Sequence, residues 1–365
     1  GVSPVTMDDV TSGFNIGTNI TNDSWFNDLV GFSENELREM LEYYKEQGVL
    51  QESIDEIVAM MKPNYDNYCF SEDTLEQCMF NSDMALYFLK SFVLHHKKPK
   101  EIVDPNIRTD FNKLAYLIKL DHGLGENFSV IKEIAEQGEI ITDILTHFSA
   151  LEMTDPSNFK SLLFYFGLLS IKGVDMVGRP ILHVPNLVVR EQLFNFLIQG
   201  YIKHDIFKID MNKMSALFEN MAFRGDWKPL FDFIANAVRE QSRIREYIEG
   251  EAHIKGFLLA YLGMYRYYQL YPEYELNKGF ADFFFKPSLS VPVLPPFTYL
   301  LEVKYAKAGA SEKEIRALAD EAREQLLRYS EDELVAEAKA KGELKLITIV
   351  WRSWELALLE EVTLS

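Results

Sequence analysis

Residues 297–305 read FTYLLEVKY, an apolar run with the length and composition of a buried strand, yet it carries Glu302 and Lys304 two positions apart. Side chains alternate along a strand, so Glu302 and Lys304 project to one face while Leu301, Val303 and Tyr305 take the other. An acid and a base on one buried face are either a structural ion pair or part of a reactive site. The choice depends on what the neighbouring segments bring to the same sheet edge.

Working outward, GFADFFFKP (279–287) is a second apolar strand, with Asp282 as an isolated carboxylate against Phe283, Phe284 and Phe285. The proline-rich SLSVPVLPP joins the two strands. YELNK (274–278) begins an extended segment before them, and HIKGFLLAYLGMYRYY (253–268) reads as the helix that opens this part of the chain. After them, SEKEIRALADEAREQLLRYS (311–330) is a periodic amphipathic helix, capped by Ser311 with Glu314 three positions on. LKLITIVW (344–351) is another buried strand and SWELALLEEV an edge strand. The order helix, three extended segments, helix, strand, strand describes an α/β sheet domain over residues 251–365.

The preceding two-thirds are helix-rich. SENELREMLEYYKEQG (33–48) opens on a capping box, Ser33 with Glu36, and stops at Gly48. NSDMALYFLKSFVLHH (81–96) and DPNIRTDFNKLAYLIKL (104–120) follow as helices. NFSVIKEIAEQ, KSLLFYFGLL, VREQLFNFLIQGYI and MNKMSALFENMAF continue the pattern. One interruption, SIKGVDMVGRPILHVPN (170–186), reads as a strand, a glycine-containing turn, a second strand and Pro185-Asn186 before the next helix. Flanked by helices, it resembles a winged-helix unit at about 160–200. With only Lys172 and Arg179 basic, a packing or docking role is expected ahead of DNA contact. The fold class is therefore α+β and multidomain, with segments 1–120, 121–250 and 251–365.

Composition narrows the function. The chain of 365 residues is 47% hydrophobic and 25% charged, enough to bury a sizeable core. A net charge of −19 argues against a general polyanion-binding surface, but the acidity is uneven. From Glu251 onward there are 18 acidic and 14 basic residues, so only −4 of the charge falls there and local engagement of nucleic acid stays open. Two cysteines, Cys69 and Cys78, are too few for a disulfide framework or a zinc site, and a reducing, cytoplasmic setting is the default. No run has the length of a membrane span, and no membrane partner is expected. The chain opens on Gly1 rather than Met, which reads as a piece of a longer protein.

Two adjacent strands that each place a carboxylate at one sheet edge make a site for a divalent cation. Magnesium takes one or two carboxylates with waters completing its octahedron, and manganese is the alternative. Such an ion polarises a phosphate and lowers the pKa of bound water, while Lys304 orients that water or stabilises developing charge. Gln325 and Tyr329, at i and i+4 on one face of the 311–330 helix, are placed to hold substrate or water. Glu251 and His253 open the first helix of the unit and read better as cap and surface residues than as ligands. The 26 Phe and 18 Tyr read as core packing.

Asp282, then Glu302-Val303-Lys304, then Gln325-x-x-x-Tyr329, together resemble the PD-(D/E)XK nuclease superfamily. The resemblance implies Asp282 and Glu302 as metal ligands, Lys304 as the water-activating base or charge stabiliser, and DNA as substrate. ELNKGFADFFF, YLLEVKY and ASEKEIRALADEAREQLLRY are moreover similar to the nuclease-like C-terminal domain of bacterial proteins with an AAA-ATPase-like N-terminal region. GVSPVTMDDVTSGFNI, MFNSDMALYFL and DPNIRTDFNKL are similar to the end of that region. The resemblance implies ATP only as a cofactor of an intact upstream domain, since no GxxxxGK[ST] occurs here. Within it, Arg108 is either a nucleotide-sensing residue or a partner of Asp104 or Asp110. Phe280 stands where many relatives carry Arg, and YDNY (65–68) where related domains read YDGY.

Overall fold

The computed structural model describes residues 5–6, 20, 22–97, 99, 125–146, 148–149, 152–153, 155–277, 279–288, 291–340 and 342–363. The expected helix at 104–120, Arg108 with its acidic neighbours, and most of GVSPVTMDDVTSGFNI lie outside the described residues. The chain divides into two compact units, Gly1–Leu193 and Phe194–Ser365.

In the first unit, α1 (Glu34–Glu46), α2 (Ile54–Tyr65) and α3 (Ser82–His95) share an apolar core that includes Leu37, Leu41, Met61, Phe88 and Phe92. The Ser33–Glu36 capping box closes in both directions, as its spacing predicts. A short parallel pair, β1 (Val5–Thr6) with β3 (Phe148–Ser149), and helices α4 (Glu126–Gln137) and α5 (Pro156–Tyr165) follow. The predicted hairpin is present as antiparallel β4 (Ser170–Val174) and β5 (Pro180–His183), joined by β2 (Glu139–Ile141) into a three-stranded sheet. At its tip Asp175 accepts the backbone N–H groups of Val177 and Arg179, and Gly178 takes the left-handed φ that the turn requires.

Helix α6 (Leu187–Lys203) contains the division between the units. Beyond it come α7 (Met211–Arg224), α8 (Lys228–Glu240), the short α9 (Ser242–Tyr247) and α10 (Glu251–Leu262). The predicted helix over 253–268 overran its end. Helix α10 stops at Leu262, and β6 (Tyr268–Leu276) has begun by Tyr268. At Gly263 a Cβ would stand 2.2 Å from the ring of Phe194, so the chain turns where only glycine fits. Strands β7 (Gly279–Pro287) and β8 (Phe297–Ala306) follow, then α11 (Glu312–Tyr329), α12 (Glu333–Ala340), β9 (Glu343–Arg352) and β10 (Glu355–Val362).

The sheet order is β10-β9-β8-β7-β6, and only β8 and β9 run parallel. A parallel neighbour requires a crossover, which α11 and α12 supply between those two strands. Helix α11 covers one face, packing Ile315 and Ala319 with Ala306 and Val350, and Leu326 and Tyr329 with Leu300, Leu344 and Leu346. Helix α7 lies against the other face, where the Tyr299 hydroxyl donates to the Met221 carbonyl at 2.6 Å and Phe218 packs at a tilt against Phe285. Asp282, Glu302, Thr298 and Thr348 are thereby buried in a sheet covered on both sides.

Candidate active site

The β7–β8 ladder pairs Phe285 with Tyr299, Phe284 with Leu300 and Phe283 with Leu301, and then stops. The next two residues are Asp282 and Glu302. Their carboxylates replace the ladder: Asp282 Oδ2 accepts the Val303 N–H at 2.6 Å, and Glu302 Oε1 accepts the Asp282 N–H at 3.3 Å. Each strand's acid therefore satisfies the other strand's backbone, as a buried N–H requires. The two strands separate at the point where the two acids sit.

Burial and the electrostatics of the pair follow from this geometry. Asp282 is 5% exposed and Glu302 2%. Desolvation, then the Asp282 charge beside it, raise the Glu302 pKa far above the ordinary carboxylate range, and Lys304 offsets them only in part. Glu302 therefore favours its protonated form far more than a carboxylate in water does.

Lys304 lies 3.8 Å from Glu302 Oε2 but 3.2 Å from Glu321 Oε1 on α11, so it leans toward the helix. The tight ion pair belongs to another residue. Lys255 Nζ stands 2.5 Å from Asp282 Oδ1, 2.8 Å from Glu251 Oε1 and 3.3 Å from Glu273 Oε1. Burial pulls against the Lys255 ammonium, but Asp282 and Glu251 outweigh it and hold its pKa above that of an ordinary lysine.

Of the residues singled out in the sequence, Asp282, Glu302 and Lys304 converge. Gln325 lies on α11 one turn beyond Glu321, and its Oε1 is buried without a hydrogen-bond partner among the described residues. Tyr329 is 1% exposed within the cluster of Leu276, Ala281, Phe284 and Leu300, and its hydroxyl receives Arg328 Nη2 at 3.3 Å. Glu251 is bound to Lys255, and His253 packs edge-on against Tyr247. Lys255, Glu273 and Glu321 were not legible as site residues. One signal for Lys255 was present: it is a lone charge inside the apolar helix HIKGFLLAYL, four residues after Glu251.

Residues 249–361 match the family model described as the PD-(D/E)XK nuclease superfamily. The match spans about a third of the chain and takes in all of α10 through β9 and nearly all of β10. No curated protein matches the chain. The matched region holds the helices and five strands in the order expected for 251–365, and the structure joins the strands in one mixed sheet.

Among the described residues, no three His, Cys, Asp or Glu side chains form a ready-made cation cage. The donor set nonetheless fits a hard divalent ion: Asp282 and Glu302 offer the two carboxylates that magnesium takes from a protein. The Lys255 ammonium already stands beside Asp282 and places a positive charge at the pair. No helix among the described residues is long and apolar enough to cross a membrane.

Proposed function

We propose that the 251–365 unit is a metal-dependent nuclease that hydrolyses phosphodiester bonds, with DNA as its substrate. The observation that carries this reading is the crossed Asp282–Glu302 pair at the strand divergence, with Lys304 on the same strand as Glu302. Asp282 and Glu302 would hold Mg²⁺ or Mn²⁺, which when bound polarises the phosphate and acidifies a water. With an ion bound there, Glu302 would give its proton to solvent and Lys255 would pair with Glu251 and Glu273 in place of Asp282, both already within reach. Lys304, drawn outward by the exposed Glu321, orients the attacking water or stabilises charge developing on the phosphate. Gln325 holds the substrate or water above the sheet, and Tyr329 braces that end of α11 through its packing.

Coupling to an AAA-ATPase-like module rests on the resemblance of the N-terminal and C-terminal motifs, and the divisions at residues 120 and 250 rest on where the texture of the sequence changes. The winged-helix-like reading of residues 160–200 rests on the strand–turn–strand pattern between helices. All of these belong to the proposal.

The test is cleavage of single- and double-stranded DNA by the chain, with Mg²⁺ or Mn²⁺ and with chelator, beside Glu302→Ala. Metal-dependent cutting that the variant lacks is expected. If the intact full-length protein with ATP and either ion cuts neither substrate, the catalytic reading fails. One observation favours a second reading, a silent nuclease fold kept for binding: Lys255 and a protonated Glu302 complete the site without an ion. That reading predicts the same thermal stability with and without Mg²⁺.

A further inference from the structure

Glu302 has a neighbour that neither the motif nor the ion pairs reveal. In the parallel β8–β9 ladder Glu302 pairs with Thr348, so the two side chains stand side by side on the face that α11 covers. Thr348 is 2% exposed, and its Oγ1 makes no hydrogen bond among the described residues. A buried hydroxyl without a partner is destabilising relative to a satisfied one. A β-branched apolar residue such as valine would fill the same strand position without that cost.

A second group converges on the same place. Helix α11 runs antiparallel to β8 and β9: Ala319 packs with Val350 near its start, and Leu326 packs with Leu346 near its end. Lys304 is joined to Glu321. One helical turn on, about 6 Å, is Gln325, and two residues back along the strand, about 6.6 Å, is Glu302. Gln325 is therefore placed over Glu302, and its Oε1 is also buried and unpartnered. Two oxygens lacking donors thus flank one carboxyl from two different elements. Both accept hydrogen bonds, and the waters around a cation have only donors to offer.

We propose that Thr348 is a positioning residue of the Asp282–Glu302 site, its buried hydroxyl oxygen accepting a hydrogen bond from the water shell of a divalent cation, beside the Gln325 already placed there. The inference rests on the nuclease reading for the cation, and on the register and the two orphan oxygens for Thr348. It assigns Thr348 a role through water, not as a metal ligand. The chain also contains its own control: the Thr298 Oγ1 is equally buried and unpartnered, but lies on β8 four residues before Glu302, about 13 Å along the strand.

The experiment is Mn²⁺ titration calorimetry on the full chain, with thermal melting of the metal-free protein alongside. Thr348→Val, Thr348→Ser, Thr298→Val and wild type are compared. Thr348→Val is expected to weaken Mn²⁺ binding roughly tenfold, the usual scale for loss of an outer-shell partner. Its metal-free melting temperature should be equal to or above wild type. Thr348→Ser keeps the oxygen and should bind as wild type does; so should Thr298→Val. Wild-type binding with Thr348→Val within twofold of it, or an equal loss in Thr298→Val, overturns the proposal and leaves the nuclease reading standing. A wild-type chain that shows no Mn²⁺ heat overturns both.

Discussion

Replacing Lys255 by methionine removes the only cation paired to Asp282 among the described residues while keeping most of the apolar stem. Asp282 is 5% exposed and would then face the interior with the Val303 N–H and a protonated Glu302 as its remaining donors. Breaking a buried ion pair by deleting one partner costs about 3–5 kcal/mol. Lys255 keeps some solvent contact and Asp282 keeps hydrogen bonds, so about 3 kcal/mol is the expected loss. For a cooperative unit of this size the melting temperature falls by about 6–12 °C. The assay is differential scanning calorimetry of the full chain with chelator and again with millimolar Mn²⁺. An ion that takes the ammonium's place should return much of the lost stability, so Mn²⁺ should raise the variant's transition more than the wild type's. A variant that melts within a degree of wild type in chelator would show that the Lys255–Asp282 contact is incidental. A drop that Mn²⁺ does not reverse would instead leave the ion pair structural and remove the idea that an ion replaces it.

The raised Glu302 pKa sets a pH dependence whose sign can be worked out. The folded state keeps a proton that the unfolded chain releases at the ordinary glutamate value, so stability falls as pH rises from that value toward the raised one. Urea unfolding in chelator between about pH 5 and about pH 8 should show this decline, and Glu302→Gln should flatten it; an unchanged slope in the variant would place the effect elsewhere. At Gly279 an added Cβ would lie 2.4 Å from the Tyr329 hydroxyl and 2.9 Å from its ring. Because Tyr329 is buried and cannot swing away, Gly279→Ala should destabilise the chain by about 1–3 kcal/mol, measured by the same unfolding assay.

Strand and helix identities were legible where local rules govern them. Continuous apolar runs marked β7, β8 and β9, and the Ser311–Glu314 capping box marked the start of α11. Boundaries failed where a distant contact decides them. The aromatic segment after Gly263 continues an apolar run and so read as helix, but pairing with β7 makes Tyr268 a strand residue. Helix α12 escaped notice because its sequence, ELVAEAKA, is short and has little periodicity of its own; Val335 is its only fully buried residue.

The same division runs through the candidate site. The alternation of FTYLLEVKY, with Asp282 on the preceding strand, was enough to bring Asp282, Glu302 and Lys304 forward, because side-chain period and strand succession are properties of the local chain. The partnerships came only with the tertiary structure. Lys255 meets Asp282 across 27 residues, and Glu302 meets Thr348 across 46, through a helix contact and a parallel register that no local pattern encodes. Burial decided the rest. In water Glu302 would be an ordinary carboxylate, and between two covered faces of a sheet, beside a second acid, it holds its proton.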